Sequence, residues 1–291
     1  MRFAKLHGAG NDYIYVNGFE EQILDPAALS VKISDRHFGV GADGLILALP
    51  PRKDGQLRMR MFNADGSESQ MCGNGVRCLA KFAVERGLVK NVGGACKPGE
   101  GTCVVNIETN AGLREVTLFR DAAGKFSRGS VSMGRPRLEA ELIPVALDGE
   151  RLVDVPLTVG GQTLWMTCVN MGNPHAVFYV DQVAGWPLEQ VGPKIENHKL
   201  FPERINVHIV EVVSLGEVRV RTWERGSGIT LACGTGASAV CVAGVLTGRS
   251  ARRIIAHVPG GDLQVEWPDD AAPVVLTGPV EEVFQGEWPD K

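Results

Sequence analysis

The 291-residue chain has few of the features that mark membrane, secreted or nucleic-acid-binding proteins. It has no run of 18 apolar residues, and its first residues turn polar before a signal-peptide apolar region could form. Aromatic residues make up only 6%, no run of five or six basic residues occurs, and the formal net charge is −4. A base-stacking platform and a basic surface for a phosphate backbone are therefore not expected. These absences predict a cytoplasmic globular protein with neither a nucleic-acid nor a membrane partner.

Motifs for common cofactors and metals are missing as well. The chain has no Walker sequence, no Gly-x-Gly-x-x-Gly opening a βαβ unit, and no Cys-x₂-Cys or Cys/His cluster at zinc spacing. No lysine has a setting that singles it out as a Schiff-base former. Seven cysteines in a chain of this length, without a secretory signal, argue against a structural disulfide framework. The sequence therefore predicts no bound metal and no cofactor.

Glycine, by contrast, is abundant, at 36 of 291 residues. Short strand-like segments alternate along the chain, and the glycine-rich stretch 93–101 is interpreted as a surface loop. Two helices are predicted, from Gly73 to about Arg86 and from Gly234 to about Leu246, and both are apolar on most faces. The length favours two domains. The predicted fold is α/β (α+β), with mainly antiparallel sheet wrapped around each helix.

An internal repeat relates the two halves of the chain. Residues 63–75 can be laid over residues 224–236 at an offset of 161, and residues 10–13 fall on residues 172–175 at an offset of 162. The segments around His37 and His198 also share the offset of 161. We interpret this order and spacing as two homologous halves related by a pseudo-twofold axis, with a site in the cleft between them. The predicted halves are 1–118 plus 268–291, and 119–267.

The repeat aligns two cysteines, Cys72 and Cys233, at equivalent positions of the two halves. Each precedes a core helix in a Cys-Gly-(Asn/Thr)-Gly turn, where unpaired backbone N–H groups and the positive end of the helix dipole favour an anion. The position predicts a lowered thiol pKa and a place for a carboxylate beside each sulfur. Two opposed thiols flanking an α-carboxylate suit one reaction: one thiolate removes the α-proton and the other thiol donates a proton on the opposite face, which inverts the stereocentre.

Seven ordered blocks between residue 1 and about residue 250 resemble the diaminopimelate epimerases. They read HGAGND at 7–12, DRHFGVGAD at 35–43, FNADGS at 62–67, MCGNGVRC at 71–78, GNPH at 172–175, ERINV at 203–207, and WERG at 223–226 with ACGTG at 232–236. The resemblance implies a cofactor-independent, homodimeric two-thiol isomerase that converts LL-diaminopimelate to the meso form, for lysine and peptidoglycan synthesis.

The resemblance also implies roles for individual residues. Cys72 and Cys233 become base and acid, with His175 and Glu224 beside the thiols, and Arg225 becomes the partner of the distal carboxylate. Further contacts to the substrate are implied for the backbone of Gly73, Asn74, Gly234 and Thr235, for the side chains of Asn11, Asn63, Asn173 and Asn206, and for Glu224. The chain departs from the family pattern at Gly44, where many members carry Gln.

Several readings compete with this one. The nearest is a proline or hydroxyproline racemase of the same architecture, which would not need Arg225 and several asparagines for a second amino-acid end. A thiol redox protein would require a Cys72–Cys233 disulfide in its working state, and a metal-binding module lacks ligand spacing. Cys78 and Cys241 are interpreted as packing residues, while Cys96, Cys103 and Cys168 have no partner at metal-ligand spacing. The histidines other than His175 are interpreted as structural or surface residues, namely His7, His37, His198, His208 and His257.

Overall fold

The chain forms two compact units in a computed structural model that describes residues 1–89, 96 and 101–289. Unit 1 comprises Met1–Ser132 and Thr277–Lys291, and unit 2 comprises Met133–Leu276. No described helix is long and apolar enough to cross a membrane. The glycine-rich stretch 93–101, interpreted above as a loop, lies largely outside the described residues. The predicted domain bounds, 1–118 plus 268–291 and 119–267, stay a prediction.

Unit 1 begins with eight strands and two helices. In chain order these are β1 (Arg2–Gly8), β2 (Asn11–Asn17), α1 (Pro26–Ser34), β3 (Gly44–Leu49), β4 (Leu57–Asn63), β5 (Glu68–Ser69), α2 (Gly73–Glu85), β6 (Thr102–Thr109), β7 (Gly112–Arg120) and β8 (Phe126–Gly134). Neighbouring strands pair antiparallel, except for β2 with β3 and β4 with β6, which are parallel. One face of this sheet covers α2, and the apolar side of α1 packs on β3 and β4.

Unit 2 repeats this plan. Its elements are a 3₁₀ helix (Ala140–Leu142), β9 (Val155–Val159), β10 (Gln162–Asn170), β11 (Pro174–Tyr179), α3 (Leu188–Glu196), β12 (Asn206–Ser214), β13 (Glu217–Glu224), β14 (Gly228–Thr230), α4 (Gly234–Leu246), β15 (Arg253–Val258) and β16 (Gly261–Glu266). The chain then passes through β17 (Val274–Pro279) to β18 (Glu281–Glu287), which pairs with β1 in unit 1.

The order of parallel and antiparallel pairings is the same in both units. β10 to β11, β12 to β13 and β15 to β16 are antiparallel, whereas β11 with β12 and β13 with β15 are parallel. The correspondence reproduces the β1–β2–β3–β4–β6–β7 sequence of pairings in unit 1. The predicted fold class, two pseudo-symmetric halves of mainly antiparallel sheet around a central helix, is confirmed.

The two central helices are buried, although α2 carries the polar residues Arg77 and Lys81, whose side chains donate to backbone carbonyls inside the unit. Every residue of α2 from Gly73 to Ala83 is buried, and so is every residue of α4 from Gly236 to Gly244. Cys72 and Cys233 are the N-cap residues of α2 and α4, as the repeat predicted. Gly87 and Gly248, both at positive φ, follow the C-terminal ends, where a left-handed residue ends a helix without steric cost.

One cysteine pair differs from the sequence-based expectation. Cys96 and Cys103 form a disulfide bond, with their Cα atoms 4.5 Å apart. The expectation that the chain has no structural disulfide is therefore wrong for this pair. Sequence spacing gave no signal because a separation of seven residues brings two cysteines together only when the intervening chain turns back, which tertiary structure decides. The other five cysteines are thiols.

Candidate active site

In unit 1, Cys72 lies at the point where the chain leaves β5 and enters α2. Its Sγ is 3.4 Å from the Gly75 backbone nitrogen, which donates to it, and 3.2 Å from Asn11 Oδ1, to which the thiol donates. The Tyr13 hydroxyl also hydrogen-bonds the thiol. Asn11 is the first residue of β2, next to β1 and β3, so the sheet holds the amide against the helix N-terminus.

Burial raises the pKa of the Cys72 thiol, although several neighbours oppose the effect. The backbone N–H groups of Gly75 and Asn74, the Tyr13 hydroxyl and the Arg77 charge each favour the thiolate. The prediction that the helix N-terminus lowers this pKa overall is therefore wrong for the protein without substrate. The backbone N–H groups favour the thiolate as expected, but the cost of removing a thiolate from water is larger than this stabilisation.

A chain of hydrogen bonds orients the amides beside Cys72. Arg77 Nη2 donates to Asn74 Oδ1 at 2.8 Å, and Asn74 Nδ2 donates to Asn11 Oδ1 at 3.3 Å. Asn11 Nδ2 in turn donates to Asp43 Oδ2 at 2.7 Å. Because a guanidinium can only donate, it fixes which end of the Asn74 amide faces Asn11, and the series leaves Asn11 Oδ1 as an acceptor for the thiol.

Arg77 is a buried cation without a carboxylate partner among the described residues. Its side chain is 0% exposed, and Nη1 donates to the Gly73 carbonyl at 3.1 Å. Its Nε has no hydrogen-bond partner. Burial lowers the pKa of Arg77, and the nearby Cys78 and Cys72 thiols, when ionised, oppose that shift. A positive charge is thus held behind the helix turn that carries Cys72.

We expect Arg77→Met to raise the pKa of Cys72, because the charge that favours its thiolate is lost. Since only the thiolate reacts with iodoacetamide, the pH profile of Cys72 alkylation should move to higher pH. Peptide mass spectrometry after timed alkylation measures this. Arg77→Lys keeps the charge and should stay close to the native profile, and Arg86→Met, at the far end of the same helix, is the matched control. An unchanged Cys72 profile in Arg77→Met would contradict the assignment.

Asn63 and Gly44 face each other at the end of the β3–β4 pair. Asn63 Nδ2 donates to Ser67 Oγ at 2.9 Å, and this contact shapes the turn after β4. A Cβ placed on Gly44 would lie 2.1 Å from the Phe62 carbonyl oxygen. The glutamine that many family members carry here therefore does not fit this backbone, and Gly44 contributes only main-chain atoms.

In unit 2, Cys233 lies between β14 and α4 and is 7% exposed. Its Sγ is 3.5 Å from Thr235 Oγ1, a residue in the first turn of the helix. The first-turn residues Gly234 and Thr235 have backbone N–H groups that no carbonyl within the helix can satisfy. The arrangement repeats the Cys-Gly-x-Gly turn of unit 1, as the sequence alignment of the halves predicted.

The parallel pair β11 and β12 brings His175 next to Asn206. His175 Nε2 is 2.8 Å from Asn173 Oδ1. Burial, with the neighbouring His208 ring and the Arg225 charge, lowers the pKa of His175 well below its usual range, so the ring is neutral. Asn206 uses its amide within the protein: Nδ2 donates to the Pro174 carbonyl at 2.8 Å, and Oδ1 accepts from the Arg225 backbone N–H at 3.0 Å.

The turn after β13 carries Glu224 and Arg225. Glu224 Oε1 accepts from Thr230 Oγ1 at 2.6 Å, and Arg225 Nη1 donates to the Glu203 carbonyl at 2.8 Å. The buried carboxylate of Glu196 holds this turn from beneath, because Oε1 accepts from the Gly226 N–H at 2.9 Å and Oε2 accepts from Trp223 Nε1 at 2.7 Å. Glu196 therefore holds the Trp223 side chain and the Gly226 backbone, on either side of the Glu224–Arg225 pair.

Within each unit, the structure gathers most of the residues that the sequence predicted. Unit 1 joins Asn11, Cys72 and Asn74 through hydrogen bonds, and unit 2 joins Asn173 to His175 and Asn206 to Arg225. Sequence reasoning missed the supporting residues Tyr13, Asp43, Arg77, Glu196 and His208. Only Tyr13 had a usable signal, since the repeat places it opposite His175.

The candidate residues do not form a set of metal ligands among the described residues. Within the ranges 1–89, 96 and 101–289, no three His, Cys, Asp or Glu side chains are grouped so that they could hold a metal ion. The thiols of Cys72 and Cys233 have hydroxyl, amide and backbone partners instead. What both sites offer is a thiol beside unsatisfied N–H groups, a setting for moving a proton next to a bound anion.

Nearly the whole chain is similar in sequence to known proteins of one family. The family model described as diaminopimelate epimerase matches residues 3–138 and 167–283. A diaminopimelate epimerase from Desulforudis audaxviator is 49% identical over 289 residues, covering 99% of both chains. One from Acetivibrio thermocellus is 48% identical over 289 residues, covering 99% of this chain and 98% of its own.

Among solved structures, the fold is similar to that of a hydroxyproline epimerase from Agrobacterium vitis, with a TM-score of 0.64. The two chains are 17% identical, and the match covers 98% of this chain and 90% of the other. At that identity the likeness concerns the fold alone. The sequence identity to curated relatives and the family-model match decide the family: the chain belongs to the diaminopimelate epimerases.

Proposed function

We propose that the chain interconverts LL- and meso-diaminopimelate by removing and returning the α-proton without a cofactor, as an isomerase of lysine and peptidoglycan precursor synthesis. The observation that carries the proposal is the repeated thiol at the N-terminus of a buried helix, Cys72 on α2 and Cys233 on α4. The family relationship supplies the substrate.

In the proposed mechanism, the two thiols exchange roles with the direction of the reaction. One cysteine, as its thiolate, takes the α-proton and becomes a thiol. The other thiol gives its proton to the opposite face of the resulting carbanion and becomes a thiolate. The net result is inversion at one α-carbon with no change in the total number of protons.

The main energetic difficulty of the reaction is the formation of the carbanion. The backbone N–H groups of the two helix turns are placed to stabilise its negative charge. An α-proton beside a carboxylate and an ammonium is weakly acidic, and negative charge grows on the carboxylate as the proton leaves. We assign the N–H groups of Gly73, Asn74, Gly234 and Thr235 to that carboxylate, because they point along the helix axes and need no reorganisation to stabilise the charge.

The remaining predicted residues bind the other groups of the substrate. Arg225 is assigned to the distal carboxylate, since a planar guanidinium suits two parallel hydrogen bonds. The side chains assigned to amide contacts with the amino-acid ends are Asn11, Asn63, Asn173 and Asn206. Glu224 and His175 are assigned to the reacting end, where His175 is neutral and Glu224 accepts from Thr230.

The deciding experiment follows LL-diaminopimelate in D₂O with reduced protein and no added cofactor. NMR should show loss of the α-proton together with growth of the meso product. If proline or hydroxyproline exchanges its α-proton and diaminopimelate does not, the two-thiol chemistry stands but the substrate assignment is wrong. The substrate would then be of the kind that the structural relative, a hydroxyproline epimerase, is named for. Activity that requires oxidised protein would favour the thiol redox reading.

A homodimer in the cytoplasm completes the proposal. The dimer follows from the family resemblance, and sedimentation equilibrium should give the mass of two chains. The two working thiols need a reducing compartment, which the cytoplasm provides. In that compartment we expect the five free cysteines as thiols, so alkylation under denaturing conditions at the moment of cell lysis should label all five. Fewer than five labelled cysteines would contradict this location.

A further inference from the structure

The carboxylate of Glu196, the last residue of α3, joins two segments of unit 2. Glu196 is 5% exposed, and both of its oxygens accept hydrogen bonds. Oε1 accepts from the Gly226 backbone N–H at 2.9 Å and from Arg204 Nη1 at 3.2 Å, and Oε2 accepts from Trp223 Nε1 at 2.7 Å. All three partners can only donate, so the direction of each hydrogen bond is fixed and both side-chain oxygens must be acceptors.

Helix α3 also has room for the side chain that precedes the Glu224–Arg225 pair. A Cβ placed on Gly192 would lie 2.8 Å from Trp223 Cγ, so a larger residue there would displace the indole ring. Glu196 follows one helical turn later on the same face of α3 and accepts from the indole N–H. The helix therefore holds the residue before the pair by its ring and the residue after the pair by its backbone N–H.

The two peptide groups that flank the Cα atom of Arg225 are held by side chains of other elements. The Arg225 N–H donates to Asn206 Oδ1 at 3.0 Å, and the N–H of Gly226 donates to Glu196. Because peptide groups are planar, fixing both of them fixes the direction in which the Arg225 side chain leaves the backbone. Arg225 Nη1 donates to the Glu203 carbonyl at 2.8 Å, and the residue after Glu203 is the arginine that Glu196 binds.

Glycine at position 226 makes the contact to Glu196 important for the shape of the turn. Gly226 adopts a φ of +79°, and Ser227 N–H closes the turn on the Glu224 carbonyl at 3.1 Å. Since glycine populates many backbone conformations readily, the sequence of the turn alone does not favour this one. The hydrogen bond from the Gly226 N–H to Glu196 does favour it.

Glu224, by contrast, is held by strand pairing. Its Oε1 accepts from Thr230 Oγ1 at 2.6 Å, and its backbone faces Gly228 in the antiparallel pair of β13 and β14. Glu224 is assigned to the reacting end of the substrate and Arg225 to the distal carboxylate. Loss of the Glu196 contacts should therefore weaken the binding of the substrate more than it slows proton transfer.

We propose that Glu196 is a positioning residue that holds the 223–226 turn so that the Arg225 guanidinium is already oriented for the distal carboxylate of the substrate. An arginine that must first be ordered binds more weakly, because ordering a long side chain costs conformational entropy. The inference rests on the proposed function in assigning Arg225 to that carboxylate.

Steady-state kinetics on Glu196→Asp and Glu196→Met test the proposal. The aspartate keeps the charge but is one methylene too short to reach the Gly226 N–H, and the methionine removes both acceptors. Each should raise KM for LL-diaminopimelate by roughly 10-fold, as for a lost hydrogen bond to a charged group, with kcat within about threefold of native. Glu189→Gln is the matched control, because this exposed carboxylate of α3 pairs with Arg221, and it should keep the native KM.

A double variant separates the hydrogen bond from the charge. In Glu196→Gln the amide oxygen can accept from Gly226, but the NH₂ group then faces the Trp223 indole N–H, donor against donor. Trp223→Phe removes that N–H, so Glu196→Gln/Trp223→Phe should have a KM within about twofold of Trp223→Phe alone. If the glutamine instead raises KM as much as the aspartate does, an acceptor for Gly226 is not what Glu196 supplies, and the proposal is wrong.

The Arg225→Met background tests whether Glu196 acts through Arg225. Without the guanidinium nothing remains to be oriented, so adding Glu196→Asp should change kcat/KM by less than about twofold. A merely structural role would lower kcat/KM by the same factor with and without the guanidinium. That result would overturn the proposal, as would a native KM in folded Glu196→Asp.

Hydrogen exchange of the Gly226 amide, followed by NMR without substrate, is independent of the reaction. The amide should be protected in the native protein and in Glu196→Gln/Trp223→Phe, and it should exchange faster in Glu196→Asp. An unprotected native amide would contradict the positioning role. Failure of the proposed function would look different, since KM in Arg225→Met would then be unchanged while the Gly226 amide stays protected.

Discussion

Replacing either Cys72 or Cys233 with alanine is expected to abolish inversion, lowering kcat by about 10³-fold or more in both directions. The proposed reaction uses one thiol on each face of the α-carbon, and no other described cysteine is the N-cap of an α-helix. With one thiol gone, a proton can still be removed and returned on a single face, but that leaves the configuration unchanged.

NMR in D₂O separates these events, because it reports α-proton loss and meso product independently. Cys78→Ala and Cys241→Ala are the matched controls, since both cysteines are buried inside α2 and α4, where burial raises the pKa of each thiol to about 12. These controls should keep inversion. A native rate of inversion in either Cys72→Ala or Cys233→Ala would contradict the two-thiol mechanism.

Replacing Arg225 with methionine is expected to lower kcat/KM for LL-diaminopimelate by roughly 10- to 150-fold, mainly through KM. This is the range for a lost hydrogen bond to a charged group. Arg225→Lys should recover only part of the loss, because an ammonium cannot make the two parallel hydrogen bonds of a guanidinium. The Arg225–Glu203 hydrogen bond is lost as well, but the Glu196 carboxylate and Asn206 still hold the turn through its backbone N–H groups.

Lysine serves as a probe for this assignment, because it has the α-amino-acid end but lacks the distal carboxylate. Any slow α-proton exchange of lysine should be the same in native protein and Arg225→Met. Arg219→Met, on the exposed face of β13 where it pairs with Glu211, is the control for loss of a positive charge. If Arg225→Met leaves KM for diaminopimelate unchanged, another group binds the distal carboxylate.

The central helices show what local sequence can establish. α4 begins at Gly234 and ends at Leu246, as predicted, and α2 begins at Gly73 and ends one residue before the expected Arg86. These boundaries are set by local chemistry: a capping residue with an extended backbone, an apolar stretch, and a glycine that adopts positive φ. The repeat could also be detected from this one sequence, because the spacing of glycine and cysteine is the same in both halves.

The partners of the candidate residues could not be obtained in the same way. Arg77 Nη2 reaches Asn74 within one helical turn, but Asn11 is 61 residues from Cys72, and His208 is 33 residues from His175. Strand register decides which side chains meet across such distances, and a slip of one residue would turn each to the other face of the sheet. The same applies to the direction of the Cys72 pKa, since burial is a property of the packed structure.

The sequence by itself determined the family, the paired thiols and their place before two buried helices, because these follow from residue order and short-range spacing. Tertiary structure alone decided the pKa direction of Cys72, the Cys96–Cys103 bond and the supporting roles of Arg77, Glu196 and His208. Each of these depends on desolvation or on contacts between distant segments, and both arise only when the strands pair and the helices are covered.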